Sequence, residues 1–373
     1  MPSAHSTGPG RTLLPDCGGA IERIAIALPP PVLNPENPLC EPLRGLVRSL
    51  SPDCTLVVLT EQGDEPRAQE WLERFAYACR AVIVATVPRG GFARAPAAEW
   101  IQDRFLCGFD RGVPHYLTPE DEVPSHAAWL GGAEGTPTSS IPVRLEGGNC
   151  LVGEDFWLVG CDSVRMTADL ARTPHDLDAA AVRIAGLHDV PLHIAGYGPL
   201  DVSGLSLPRL SSGPGGAAIG LLRQPWFHLD LMISVTGMHM NGRRHLLVAD
   251  PSALATSNST EARAQGARLD AMAERLKVAG FSVGRNPVAF APSSITASAR
   301  PRGYNNVLVE NRPKPRVWLP QFADVERMMT EFDDANRTLW VALGFEVIPL
   351  YGWSHAAGFG GAVRCISKVL ARR

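Results

Sequence analysis

Apolar residues fall in short blocks separated by Gly, Pro and polar clusters, and the blocks follow two periods. Ile21 to Leu28 (IERIAIAL) alternates with period two, while Thr55 to Thr60 (TLVVLT) and Ala81 to Val87 (AVIVATV) are continuous apolar runs; all three read as strands. Between them, Leu43, Leu46, Val47 and Leu50 share one face of a helix from Leu39 to Leu50. Asp64 caps a second helix, with Pro66 in its first turn, that runs to about Arg80. This strand–helix alternation predicts an α/β architecture. Further strands are expected at 105–109, 156–160, 228–236, 245–248, 306–310, 316–319 and 345–350. Helices are expected at 166–184 around Pro174, at 258–279, where Leu269, Met272, Ala273 and Leu276 share a face, and at 323–343. Segments 88–98, 118–140, 198–220, 287–303 and 353–361 read as loops, with 198–220 a surface loop or lid.

The chain has 373 residues, 45% hydrophobic and 20% charged, so it can bury a sizeable core. Its formal charge is only -3, and the Lys and Arg residues are scattered, which excludes a nucleic-acid footprint. No apolar stretch reaches the length of a membrane span. Eight cysteines occur, without a CxxC pair and without zinc spacing. With no charged-then-apolar leader, the expectation is a reducing cytoplasm and free thiols. No GxGxxG follows the first strand and no GxxxxGK[ST] is present, so the α/β class survives but dinucleotide binding does not. Asp333-Asp334 lies within a helical stretch and lacks the loop spacing of a calcium site.

Chemistry-bearing residues cluster in four places: Trp100-Ile101-Gln102-Asp103, Glu146-Gly147-Gly148-Asn149, His228-Leu229-Asp230, and Gly360-Gly361-Ala362-Val363-Arg364-Cys365. On a strand, His228 and Asp230 point to one face, as either a base beside an anionic anchor or a structural ion pair. Asp103 after an aromatic is either an anchor or a turn residue. The glycines after Glu146 make either a tight turn or room for a ligand against the backbone. A glycine-rich approach to Cys365 does the same, with the thiol at a strand end; alternation turns Arg364 away from it. One thiol, one histidine and three carboxylates are the parts needed for nucleophilic attack on a cationic carbon. His239 and His355 read as structural.

In this order, the motifs resemble the guanidino-modifying enzymes of the pentein superfamily: the agmatine, arginine and peptidylarginine deiminases. The resemblance runs from Trp100 to Ile366 and includes Tyr304-Asn305-Asn306-Val307, which is similar to an asparagine-bearing strand of the family. It departs from the agmatine deiminases in two ways: Arg364 stands where histidine is usual, and their opening Pro-Ala-Glu-Trp type segment is absent. The resemblance implies a flexible lead-in over residues 1–18 and a single α/β domain over 19–373, a five-bladed propeller of ββαβ modules. It implies that Asp103 and Asp230 grip a guanidinium, with Trp100, Asn149 and Asn305 also on the substrate. Cys365 would attack, His228 would move the protons and Glu146 would support it. It implies no metal or other cofactor, and as partner only a small or peptidyl guanidino substrate. The activity implied is a hydrolase giving a ureido product and ammonia. Amidino transfer, a two-step dihydrolase or a non-catalytic binding module are the alternatives on the same scaffold. Arg144, Arg223, Arg243 and Arg302 are the candidate cations for a substrate carboxylate.

Overall fold

In the computed structural model, residues 10–74, 77, 79, 81–94, 97–119, 126–172, 176–198, 206–207, 219, 221–254, 260–292 and 299–373 are described. One pattern of three strands recurs in five sheets. A first strand pairs antiparallel with a second, the chain crosses through a helix, and the third strand lies parallel to the second. Leu106–Asp110, Val113–Pro119 and Thr138–Ile141 form the first such sheet around the helix His126–Glu134. Cys150–Val152, Trp157–Gly160 and Leu192–Ala195 form the next, crossing through Cys161–Leu170 and Leu177–Ala185. Ile233–Met240, Arg243–Asp250 and Ser282–Pro287 follow, with the helix Thr260–Val278. Leu308–Glu310, Arg316–Pro320 and Glu346–Leu350 carry the helix Thr330–Ala342. The last sheet joins distant parts of the chain: Lys368–Arg372 pairs antiparallel with Ile21–Ala27, which runs parallel to Thr55–Glu61 after the helix Cys40–Ser49. Ala81–Val87 extends that sheet by one more parallel strand.

The local rules behind this are ordinary. Parallel strands covered by helices are buried on both faces, so they read as unbroken apolar runs; Leu56 to Leu59 are fully buried. The helix Thr260–Val278 turns Leu269, Met272, Ala273 and Leu276 into the core, as its periodicity predicts. Asp176 caps Leu177–Ala185 by accepting the Ala179 N–H. Among the described residues, no helix is long and apolar enough to cross a membrane.

Three expectations change. Segment 118–140 contains the helix His126–Glu134, whose Gly131 and Gly132 hid it in the sequence. The second glycine-poor half of segment 353–361 is likewise a short helix, Ser354–Phe359. The described part of the lead-in is tied down: Arg11–Leu13 pairs with Leu106–Asp110 as an edge strand, and Leu13 is buried. Residues 1–9 lie outside the described residues, as does most of the 198–220 loop and the centre of 287–303.

The first strand of each repeat is entered through a tight turn: Ile101–Asp103, Gly147–Asn149, Leu229–Leu231, 304–306 and 363–366. The turns Ile101–Asp103, Gly147–Asn149 and Leu229–Leu231 pack on one another in series. The chemistry-bearing residues sit on or beside these turns rather than on strands.

Candidate active site

Cys365 lies in the turn 363–366 and is buried. Its Sγ accepts a hydrogen bond from Asn306 Nδ2 at 3.0 Å. Asn306 Oδ1 accepts the N–H groups of Ala362 and Cys365, so one asparagine fixes both the thiol and its backbone. Gly361 is required here: a Cβ would overlap the Trp100 ring edge and lie 2.8 Å from Cys365 Sγ. Trp100 therefore stands beside the thiol.

Asp230 Oδ2 lies 3.5 Å from Cys365 Sγ. The same oxygen accepts from Arg364 Nη1 at 2.9 Å. Arg364 is thus turned inward, against the expectation from strand alternation. The physical reason is that residues 363–366 form a turn, in which neighbours share a side. His228 and Asp230 likewise do not belong to a strand: His228 precedes the turn Leu229–Leu231, and the strand begins at Ile233. Asp230 Oδ1 is buried without a hydrogen-bond partner.

His228 Nε2 is 2.6 Å from Glu146 Oε2, which leaves Nδ1 buried and unpartnered. Asp103 Oδ1 lies 3.8 Å from that Nδ1, too far for a hydrogen bond, and itself accepts the Gly148 N–H at 2.7 Å. A Cβ on Gly148 would overlap His228 Nδ1 and lie 2.8 Å from Asp103 Oδ1. The glycine pair after Glu146 therefore makes room between functional groups. The side chain of Glu146 is 46% exposed against 4% for His228, so the site opens on the Glu146 side. The aromatic rings of Phe227 and Phe359 are exposed, and Phe227 packs on the His228 ring.

Two expected residues do not meet this group. Asn149 donates to Ser163 Oγ and accepts from Gln224 Nε2, which also donates to the Phe227 carbonyl. Its amide braces the loop before His228. Asn305 is held by Ser234, Leu247 and Asn286, inside the neighbouring sheet. Its sequence neighbour Asn306 faces the thiol instead. Asp16 was not legible either; its carboxylate binds Arg364. Of the candidate carboxylate-binding cations, Arg302 is buried and clamped by Glu326, while Arg144 lies close enough to Glu146 to help lower its pKa. His239 sits at the outer end of its strand, and His355 packs on Phe359 beside Glu99.

The charges interlock. Burial pulls the His228 imidazole down, but Asp103, the Glu146 hydrogen bond and Asp230 together raise it to about 9. Glu146 is held below its usual range, chiefly by the His228 hydrogen bond. Burial pushes the Cys365 thiol well above its ordinary value, and Asp230 and Asp103 add to that; the Ala362 N–H and Arg364 work against it. His228 is therefore an imidazolium and Cys365 a neutral thiol, faced by carboxylates. A cation entering between Asp103 and Asp230 neutralises the charge that opposes thiolate formation. Among the described residues, no cluster of His, Cys, Asp or Glu is placed to hold a metal ion.

No family model matches the chain, and no curated protein matches it. Solved structures do. C. jejuni agmatine deiminase superposes with a TM-score of 0.61 at 14% identity, over 97% of both chains. A cysteine-to-serine variant of C. jejuni agmatine deiminase with substrate bound gives 0.60 at 13% identity, over 96% of this chain and 95% of that one. A provisionally assigned peptidyl-arginine deiminase gives 0.61 at 15% identity, over 97% and 98%. The chain has the fold of these enzymes, the pentein-type deiminase fold that its motif order implied.

Proposed function

We propose that this protein is a cysteine-dependent hydrolase that deiminates a guanidino compound to its ureido product and ammonia. One observation carries the reading: the buried Cys365 thiol lies 3.5 Å from the Asp230 carboxylate, while the buried Asp230 Oδ1 and His228 Nδ1 have no partner and that Nδ1 lies 3.8 Å from Asp103. Burying an unsatisfied donor and acceptor costs stability, and their position beside the thiol and Asp103 suits a ligand with matching groups. The shared fold of the agmatine and peptidyl-arginine deiminases supports it. By the same likeness, we take the five repeats to close as propeller blades around this gap, each lending one turn to it.

The reaction follows from the protonation states. The guanidinium enters between Asp103 and Asp230, and Cys365 loses its proton to solvent. The thiolate attacks the central carbon, forming a C–S bond. His228 gives its Nδ1 proton to one departing nitrogen, and the C–N bond breaks with release of ammonia. A thiouronium cation remains on Cys365. Water adds to its carbon while His228, held by Glu146, takes a proton back. The C–S bond then breaks, the ureido group loses a proton, and the thiolate is restored. Asn306 Nδ2 and the Ala362 N–H face the sulfur and stabilise its negative charge.

The far end of the substrate has a place to go. Beyond Trp100 lies a cavity of about 410 Å³ with Pro31, Val32, Phe92 and Phe359 in its walls. Glu99, His355 and Asn37 give it polarity, Glu99 being its acidic group beside a Glu61 carboxylate that is occupied by the Gly90 and Phe92 N–H groups. An acidic, apolar wall suits an aliphatic chain ending in an amine better than one ending in a carboxylate. Agmatine is accordingly the first substrate to test, ahead of free arginine. Ammonia and ureido product are measured with agmatine, arginine and an arginine-containing peptide, with Cys365→Ala as control. Turnover that the mutation abolishes is expected. A folded wild-type protein inactive on all three substrates would refute the reading, and turnover that requires an amine acceptor would replace it with amidino transfer.

A further inference from the structure

Arg364 has five N–H donors, and all five are engaged. Nε donates to Asp16 Oδ1 at 3.2 Å, and Nη2 to the same oxygen at 2.8 Å and to the Cys150 carbonyl at 3.0 Å. Nη1 donates to the Gly147 carbonyl at 3.0 Å and to Asp230 Oδ2 at 2.9 Å. The acceptors come from the edge strand region, the Glu146 loop, the strand after it and the His228 turn. One buried guanidinium therefore locks together the segments that carry Glu146, Asp230 and Cys365. Arg364 takes one oxygen of Asp230 and leaves the other, Oδ1, buried and open. Asp16 is anchored in turn, since its Oδ2 accepts the Val152 N–H at 2.8 Å.

A fully buried carboxylate protonates unless a positive charge stands against it. Protonated, Asp230 would no longer hold a cation. Arg364 supplies the positive charge, yet alone it would leave the pair neutral and without attraction for a guanidinium. Asp16 restores a net negative charge to the trio. We propose that Asp16 and Arg364 are positioning residues of the active site: Arg364 keeps Asp230 ionised with a single oxygen presented to the substrate, and Asp16 keeps the trio negative so that the site selects a cation over the neutral ureido product. This rests on the deiminase reading. The groups facing Asp230 are Arg364 and Cys365 from the last turn, His228 from its own turn and Asp103 from the Trp100 turn. Those facing Arg364 are Asp16, Cys150, Lys368 and Arg372, with burial holding the lysine below its usual value.

Three variants separate this from mere structural support. In Arg364→Gln, the acid limb of kcat/KM moves to higher pH by about one unit, because Asp230 titrates without its counter-charge. Arg364→Lys returns the limb toward its wild-type position but leaves kcat low, because the ammonium cannot reproduce the planar fork. Asp16→Asn, which keeps the shape but can accept from only one of the Val152 N–H and Arg364, raises KM about tenfold with a smaller effect on kcat, as the loss of one nearby unit charge predicts. The same substitution in a Cys365→Ala background weakens equilibrium binding of the cationic substrate, measured by calorimetry, by a like factor. A loss of kcat in Arg364→Gln with the acid limb unmoved, or an unchanged KM and Kd in the Asp16→Asn proteins, overturns the inference. Should the Arg364 variants fail to fold, the Asp16→Asn binding measurement decides alone. A wild-type enzyme without turnover on any guanidino substrate removes the deiminase reading and this inference with it, whereas an active wild type with indifferent variants removes only the inference.

Discussion

Asn306 donates to the Cys365 sulfur and accepts the N–H groups of Ala362 and Cys365, so a single side chain sets the orientation of the thiol. Cys365, His228, Glu146, Asp103 and Asp230 were legible as candidates because their residue types suit the proposed reaction and they sit in short motifs in a particular order. Asn306 was missed in favour of Asn305, and Arg364 was turned the wrong way, because alternation decides which neighbour faces a site only on a strand. Here both lie in turns, where one residue in the register changes everything. Asn306 has a sharper role than its neighbour: it is the side-chain donor to the nucleophile's sulfur. Asn306→Ala should lower kcat by roughly 100- to 1,000-fold, in the range seen when one donor to a developing anion is removed. Measured kinetics with wild-type rate would show that the bond to Sγ does nothing. Asp103→Asn tests the grip: turnover should be lost while the melting temperature stays within a few degrees of wild type, because Asp103 makes its described bond to one backbone N–H at the edge of the site. A protein that unfolds instead would make Asp103 a structural residue.

At the scale of elements, apolar runs and helical faces gave most of the sheets and helices, since burial on two faces leaves a strong signal. The turns left none. A one-turn segment such as Leu229–Leu231 buries Leu229 and Leu231 just as a strand would, and so reads as the start of the strand that follows. The only trace of the turns in the sequence is glycine where backbone and side chain crowd. Gly148 is the most exacting. Its replacement by alanine would push a methyl group into His228 Nδ1 and against Asp103 Oδ1. Gly148→Ala should cost at least about 100-fold in kcat, as displacement of a catalytic group by an ångström does. Melting should change far less, because Glu146, His228 and the site mouth can shift toward solvent. An active Gly148→Ala enzyme would mean that the gap between the imidazole and Asp103 is not where substrate sits.

The whole molecule carries an ionisation pattern that confines its stability to a window. His126, His188 and His193 are buried and held neutral, each down to about 4 by burial. Their unfolded counterparts take up protons near 6.5, so the unfolded state gains protons first and stability falls as pH drops from 6.5 toward 4. On the other side, burial raises Cys17, Cys107 and Cys150 to about 12 and Cys161 to about 11. Unfolded thiols ionise near 9 while these stay protonated, so stability falls again above pH 9. His228, raised to about 9, adds to the alkaline loss: its contribution is complete below 6.5 and disappears as pH climbs through 9. The unfolding free energy should therefore peak near neutrality and fall on both sides, by up to about 1.4 kcal/mol per pH unit for each titrating group, with the melting temperature following it. Thermal melts from pH 4 to 10 check this, and a melting temperature still rising at pH 10 would contradict it. The fifth sheet has a consequence of another kind. Lys368–Arg372 completes a sheet whose other strands lie more than 280 residues earlier, and Cys365 sits shortly before it. On the ribosome, the strand Ile21–Ala27 waits for about 340 further residues to be translated before its antiparallel partner emerges. Cys365 arrives with that partner, so the proposed reactive centre and this sheet are completed in the same moment of synthesis.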